Sequence, residues 1–416
     1  MKSLEVELGE ENIAHVLVSY MPVPTHIGEM KTKPTQQAIR TLNESGIFPD
    51  FVLCRATTPL DSVRKKKIET YSNTPSENII SAPDIKTIYR IPLNFEKEEF
   101  GKKILERFNL KPKKHPNWDN WKRLVEKIEN PSKVVNVAMI GKYVDIGDFS
   151  LADSYISINH ALEHAGAELD CSVKIAWVDS KKLENNEAGV KKLQNYNGII
   201  IPGGFGTTGV EGKIAAIKFA RENDIPFLGL CFGLQLGVVE FARSIGMTDA
   251  NTTEVDENTK YPVIDILPAQ KEIIEKSRYG GTMRLGAYAA ILENSRVLEL
   301  YKKTDRLEKD KNRLEELKKE KNQLFRLGII DNAKNIILER HRHRYEVNPL
   351  FVDKLREGGL VFSGYHTRGD KTKLMEFIEL PKHKFFVATQ AHPEFKSRLG
   401  DASPLFLGFV AACLKR

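Results

Sequence analysis

IPFLGLCFGLQLG, residues 225–237, is the stretch whose reading decides the fold. Ile225 to Leu228 form a short apolar run, and a new apolar periodicity begins at Leu234. Between them, Gly229-Leu230-Cys231-Phe232-Gly233 sets one cysteine between two glycines where a strand gives way to a helix. A buried cysteine that merely fills space needs no such flanks. A nucleophile on a tight strand-to-helix turn does, because side chains beside it would collide within the turn. The start of the helix also supplies free backbone N–H groups and a positive dipole end, both favouring a thiolate.

The strand–helix alternation extends upstream of this turn. Residues 134–140 (VVNVAMI), 171–178 (CSVKIAWV), 197–202 (NGIIIP) and 225–230 read as strands. Residues 151–165, 181–195 and 211–223 read as the helices between them. This pattern predicts an α/β fold with a doubly wound parallel sheet over residues 134–416. Active sites in such sheets lie at the carboxyl ends of strands, where both Gly203-Gly204 and Cys231 fall.

Nearer the N-terminus, 13–20 and 50–54 read as strands, 21–36 as a loop, and 35–45, 62–70 and 96–108 as helices. They suggest a second α/β layer over residues 1–110. Residues 111–133, basic and proline-marked, read as a helical linker. Residues 302–326 (KKTDRLEKDKNRLEELKKEKNQLFR) are dense in both charges, with Leu300, Leu307 and Leu314 seven apart. An exposed amphipathic helix resting on the body accounts for this better than a coiled-coil arm, since three heptads barely make a coiled coil.

At 416 residues, the chain is long enough for two or three cores. Its formal charge of +7 suits polyanionic ligands such as nucleotides, and no aromatic–basic interleaving points to nucleic acid. Four dispersed cysteines form no CxxC pair, so no metal site is expected and a reducing compartment is. MKSLEVELGEEN lacks the apolar core of a signal peptide, and no run approaches a membrane span. A cytoplasmic protein without membrane contact is expected.

A thiol nucleophile wants a base, and the base an orienting group. His392-Pro393-Glu394 follows the strand-like 385–389, and residues i and i+2 of an extended segment share a side. Locally, a histidine beside a turn proline is as often a plain surface residue. Gly203-Gly204-Phe205-Gly206 leaves N–H groups unobstructed for an oxyanion. A glycine tetrad is equally compatible with a phosphate loop, although this one lacks the lysine of a P-loop.

PGGFG (202–206), GLCFGLQ (229–235) and AHPEF (391–395), in this order, resemble the triad-type glutamine amidotransferase domain. GVEGK (209–213), ANTTE (250–254), GGTMRLG (280–286), ERHRHRYEVN (339–348) and KTKPTQ (31–36) resemble the CTP synthase family in particular. The resemblance implies a complete class I glutamine amidotransferase domain plus a partial α/β amidoligase domain. It implies Cys231 as nucleophile, His392 as base and Glu394 as its orienter. Gly204, Phe232, Gly233, Leu234, Gln235, Glu254 and Arg344 would bind glutamine. Alone, Glu254 and Arg344 look like surface charges.

The family's amidoligase phosphorylates UTP with ATP and magnesium, and ammonia then displaces the phosphate to give CTP. The resemblance assigns UTP or CTP contacts to Lys31, Thr32, Lys33, Pro34, Thr35, Gln36 and Lys67, and adenine contacts to Asp84 and Ile85. Lys67, in RKKKIE, otherwise reads as part of a solvated helix face. No phosphate loop occurs in the 416 residues, so the ATP-phosphate and magnesium sites are expected to be absent, as is the front of the amidoligase. A truncated record, a split enzyme and a free glutaminase all fit that expectation. So does a non-catalytic regulatory subunit, although a pure binding module has no use for the elbow cysteine. Homo-oligomerisation, or pairing with a separate N-terminal half, is the expected assembly. Thr207-Thr208 replaces an arginine-bearing pair of the family, which puts activation by GTP in question.

Overall fold

The computed structural model describes residues 1–26, 28–142, 145–146, 149–150, 155–267, 283–330 and 333–416. The start of the expected helix 151–165 and part of GGTMRLG lie outside them. The chain divides into two units, Met1–Glu129 and Asn130–Arg416.

The smaller unit holds a parallel sheet of β1 (Val16–Tyr20), β2 (Phe51–Ala56) and β3 (Ile79–Pro83), in that order. Met21, Ile39, Val52, Cys54, Ile68 and Ile79 form one core, and Phe51, Ile80 and Phe100 a second. Val16, Val18 and Tyr20 alternate along β1 and are exposed, an unburied apolar stripe. Helix Lys33–Glu44 begins inside KTKPTQ, earlier than the sequence suggests, because Pro34 suits a first helical turn. The single helix expected over 96–108 is two, Ile91–Lys97 and Phe100–Arg107, broken where Glu99 turns left-handed (φ 51°). The segment read as a linker contains helix Asp119–Glu129, whose Trp121 Nε1 donates to the Tyr89 carbonyl at 2.7 Å.

Among the described residues, the main sheet of the larger unit has nine strands: β4 (Lys133–Gly141), β5 (Cys171–Asp179), β6 (Gly198–Ile201), β7 (Phe227–Leu230), β8 (Arg284–Leu292), β9 (Ile336–His343), β10 (Val361–Thr367), β11 (Lys373–Glu379) and β12 (Phe386–Thr389). Their order is β9-β8-β10-β11-β12-β7-β6-β4-β5. The five strands from β12 to β5 are parallel, as their apolar, turn-bounded runs suggest, and β4 to β7 are joined through helices. The remaining four extend the sheet antiparallel, a feature that the alternation upstream of Cys231 does not reveal. Both faces are covered. Helices Val210–Glu222 and Phe232–Ser244 pack on one, and Ile156–Leu169 and Pro404–Cys413 on the other. The expected helix 181–195 is instead a 3-10 turn, a five-residue helix and a second 3-10 turn.

The charged segment forms helix Arg306–Lys319, docked by Leu314 and Leu317 on Ala289, Leu327 and Leu338. Among the described residues, no helix is long and apolar enough to cross a membrane.

Candidate active site

Cys231 ends β7 and opens helix Phe232–Ser244 with φ 52° and ψ −100°, a conformation rare for a side chain other than glycine. The strained turn is held by Cys231 N–H donating to the Thr389 carbonyl at 2.7 Å. The flanking glycines are sterically required. A Cβ on Gly233 would meet the Ile201 carbonyl, and one on Gly229 would lie 2.8 Å from both Ala388 Cβ and the Gly233 carbonyl.

Cys231 is almost fully buried, and the side chain of His392, which follows the end of β12, interacts with it. On its other side, His392 Nδ1 lies 2.7 Å from Glu394 Oε1. Burial opposes protonation of His392. The interactions with Cys231 and Glu394 and their charges outweigh it, raising its pKa to about 10. Phe395 stacks on the ring at 5.3 Å, and His392 N–H donates to the Arg340 carbonyl at 2.7 Å. Gly203 approaches so closely that a Cβ there would sit 2.9 Å from His392 Cε1 and 3.7 Å from Cys231 Cβ. The glycine turn after β6, the elbow after β7 and the histidine after β12 therefore meet at the carboxyl ends of three neighbouring parallel strands.

Around this centre, Gln235 Nε2 donates to the Tyr345 carbonyl (3.1 Å) and to Gln390 Oε1 (3.3 Å). Gln390 Nε2 donates in turn to Cys231 Sγ at 3.6 Å. Glu254 accepts the Gly206 N–H at 2.9 Å. Burial raises the Tyr345 pKa, Glu254 adds to the rise and Arg344 opposes it, so both charges lie within electrostatic reach of Tyr345. Phe232, Gly233 and Leu234 are buried in the first turn of the elbow helix, and Gly204 lies beside Phe232.

Lys213 was not singled out by the sequence. It is 1% exposed, and its Nζ stands 5.2 Å from the Phe232 ring centroid. Burial first, and then Lys142, push its pKa down to about 8. Only its place in GVEGK, seven residues past the glycine turn, hinted at this position. Arg284 is likewise unanticipated: buried, it donates to Glu376 Oε1 (2.6 Å) and Glu346 Oε1 (3.3 Å).

In the smaller unit, Lys31 Nζ donates to Glu29 Oε2 at 2.8 Å. The Lys31 hydrogen bond is the main cause that holds the Glu29 carboxyl below its ordinary range, with Arg64 and Lys67 adding to it. Lys31 and Lys67 thus share one neighbourhood, although Lys67 is exposed on helix Ser62–Ser72. Thr35 is buried and bonds to Ser19 across 2.8 Å, tying the helix start to β1. Thr32 is buried too, and its Oγ1 accepts from Gln36 Nε2. Lys33 and Pro34 are exposed. Asp84 follows β3, pairs with Arg55 at 2.8 Å and is exposed, with Ile85 half-buried beside it.

A parallel sheet wound on both faces, with a strained elbow cysteine touching a histidine held by a glutamate, defines a class I glutamine amidotransferase. The glutamine amidotransferase class-I family matches residues 150–412, and the CTP synthase N-terminus family matches residues 1–110. CTP synthase of Thermococcus gammatolerans is 43% identical over 417 residues, covering all of this chain and 70% of that protein. CTP synthase of Methanocaldococcus jannaschii is 44% identical over 422 residues, with the same coverage. The glutaminase domain of Trypanosoma brucei CTPS, solved with bound acivicin, shares 34% identity at a TM-score of 0.55, covering 68% of this chain and 94% of that one. The chain belongs to the CTP synthase family, glutamine-hydrolysing ligases. A stand-alone glutaminase and a non-catalytic subunit are not favoured, since the match spans the whole chain.

Proposed function

We propose that residues 134–416 hydrolyse glutamine at Cys231 and that residues 1–110 contribute to the site where the released ammonia aminates UTP. The contact of His392 with both Cys231 and Glu394 carries this reading. With His392 protonated, Cys231 reacts as a thiolate. Its Sγ attacks the side-chain amide carbon of glutamine, and the carbonyl π pair moves to oxygen. Backbone N–H groups at Gly204 and Phe232 receive the oxyanion. The C–N bond then breaks, His392 gives its proton to the departing nitrogen, and ammonia leaves a thioester on Cys231. His392, now neutral, takes a proton from water; the hydroxide adds to the thioester carbon, and glutamate leaves as the thiolate is restored. Glu394 keeps the ring oriented throughout. Glu254 and Arg344 are proposed to grip the ammonium and carboxylate of glutamine, with Phe232 to Gln235 lining the pocket.

Lys31 to Gln36 and Lys67 are proposed to hold the UTP triphosphate, and Asp84 and Ile85 the adenine of ATP. Magnesium is a different matter. Among the described residues, no group of three or more His, Cys, Asp or Glu side chains converges into a cage for a metal ion, and the steps above use the chain's own groups alone. A homo-oligomer is the proposed assembly. Ammonia release and CTP formation, measured together with and without UTP and ATP, test the proposal. Cys231→Ala must abolish hydrolysis while UTP binding survives. Ammonia release persisting in that variant would sink the assignment of the nucleophile.

A further inference from the structure

The charged helix Arg306–Lys319 contributes nothing to the triad, yet it reaches the turn that carries Glu394. Its buried face is partly ionic. Asp310 is 4% exposed and Arg306 5%. Lys396 closes the turn Pro393–Lys396, two residues after Glu394. Its Nζ donates to both Asp310 oxygens, at 2.7 and 2.9 Å, and to the Leu338 carbonyl. Asp310 Oδ2 accepts the Leu338 N–H at 2.9 Å, anchoring the same carboxylate to β9. Arg306 Nη2 donates to the carbonyls of Lys396 (3.4 Å) and Asp401 (3.1 Å), and pairs with the Asp401 carboxylate at 3.3 Å. One helix therefore grips Lys396 by side chain and by backbone.

A helix that only covered apolar surface would be served by Leu314 and Leu317. Burying an aspartate and an arginine carries a desolvation cost that apolar residues would avoid. Here the two charges converge on a single residue of the turn that orients the base. We infer that helix Arg306–Lys319 is a brace for that turn. Asp310 and Arg306 are positioning residues that fix Lys396, and so keep Glu394 in register with His392.

This inference rests on the proposed Cys231–His392–Glu394 triad, and its test separates the two. Glutamine hydrolysis by the full chain is measured for Asp310→Ala, Lys396→Met, the double variant, Leu314→Ala and Cys231→Ala, with the Tm of each. Asp310→Ala is expected to lower kcat about tenfold or more, since small misplacements of catalytic groups are costly, with KM within about twofold. The double variant should be no worse than either single one, because both remove the same contact. Leu314→Ala should lower Tm at least as far while leaving kcat within about twofold. The brace is overturned if Asp310→Ala keeps wild-type kcat, or if Asp310→Ala and Leu314→Ala lose kcat in proportion to Tm. Hydrolysis persisting in Cys231→Ala would instead overturn the triad. A silent Cys231→Ala beside a fully active Asp310→Ala would overturn the brace alone.

Discussion

His392 Nδ1 lies 2.7 Å from Glu394 Oε1, and the two residues are separated only by Pro393. Proline fixes φ at the start of the 3-10 turn, so the carboxylate comes back against the ring that it orients.

That pairing sets a pH dependence. Glu394→Gln removes one of the interactions that raise the His392 pKa to about 10. Glutamine hydrolysis should fall roughly 10²-fold, the usual scale for a misdirected general acid–base. The stability sign follows from the raised pKa. Protonated His392 stabilises the fold fully below about pH 6.5, and that contribution is lost as pH rises through about 10. The Tm gap between wild type and Glu394→Gln should be widest near pH 6 and shrink toward pH 10. A gap that grew with pH would contradict the assignment.

Gly233→Ala places a methyl group against the Ile201 carbonyl, which is backbone and cannot rotate away. Urea unfolding should show a loss of about 1–3 kcal/mol, the cost of overpacking, together with loss of hydrolysis. Gly237→Ala, four residues on, meets only Ile378 Cδ1 at 3.3 Å, and is expected to be tolerated.

Lys213 carries a buried ammonium whose pKa is lowered to about 8, chiefly by burial. The unfolded chain binds more protons than the native one between about pH 8 and the ordinary lysine value of about 10.5, so stability rises with pH across that window. Lys213→Met should be more stable than wild type at pH 7, by up to about 3 kcal/mol. The advantage should vanish by pH 10.5. Denaturant midpoints at both pH values decide it.

For the nucleotide site, Lys31→Ala and Lys67→Ala should each weaken UTP binding about tenfold, the effect of one lost charge-assisted contact. Calorimetric titration with UTP reads this directly. Lys86→Ala, exposed beside Ile85, is the surface control and should leave UTP affinity unchanged.

What could be read in the sequence was local. Gly229, Cys231 and Gly233 declare the elbow because its steric demand falls within five consecutive residues. His392 and Glu394 are two apart, and KTKPTQ is continuous. The antiparallel half of the sheet was not legible, since strand direction depends on pairing and not on composition. Nor were the breaks at Glu99 and within 181–195, where tertiary packing overrides helical periodicity.

By itself, the sequence determined the class of fold, the family and the residues proposed for glutamine chemistry, because each rests on short motifs with fixed internal spacing. Only the tertiary structure decided that Lys213 lies buried under Phe232, that Arg284 sits between Glu346 and Glu376, and that Asp310 holds Lys396. The last pair is 86 residues apart. A charged residue has the same appearance in sequence whether water or a buried partner surrounds it, and only the folded chain supplies the partner.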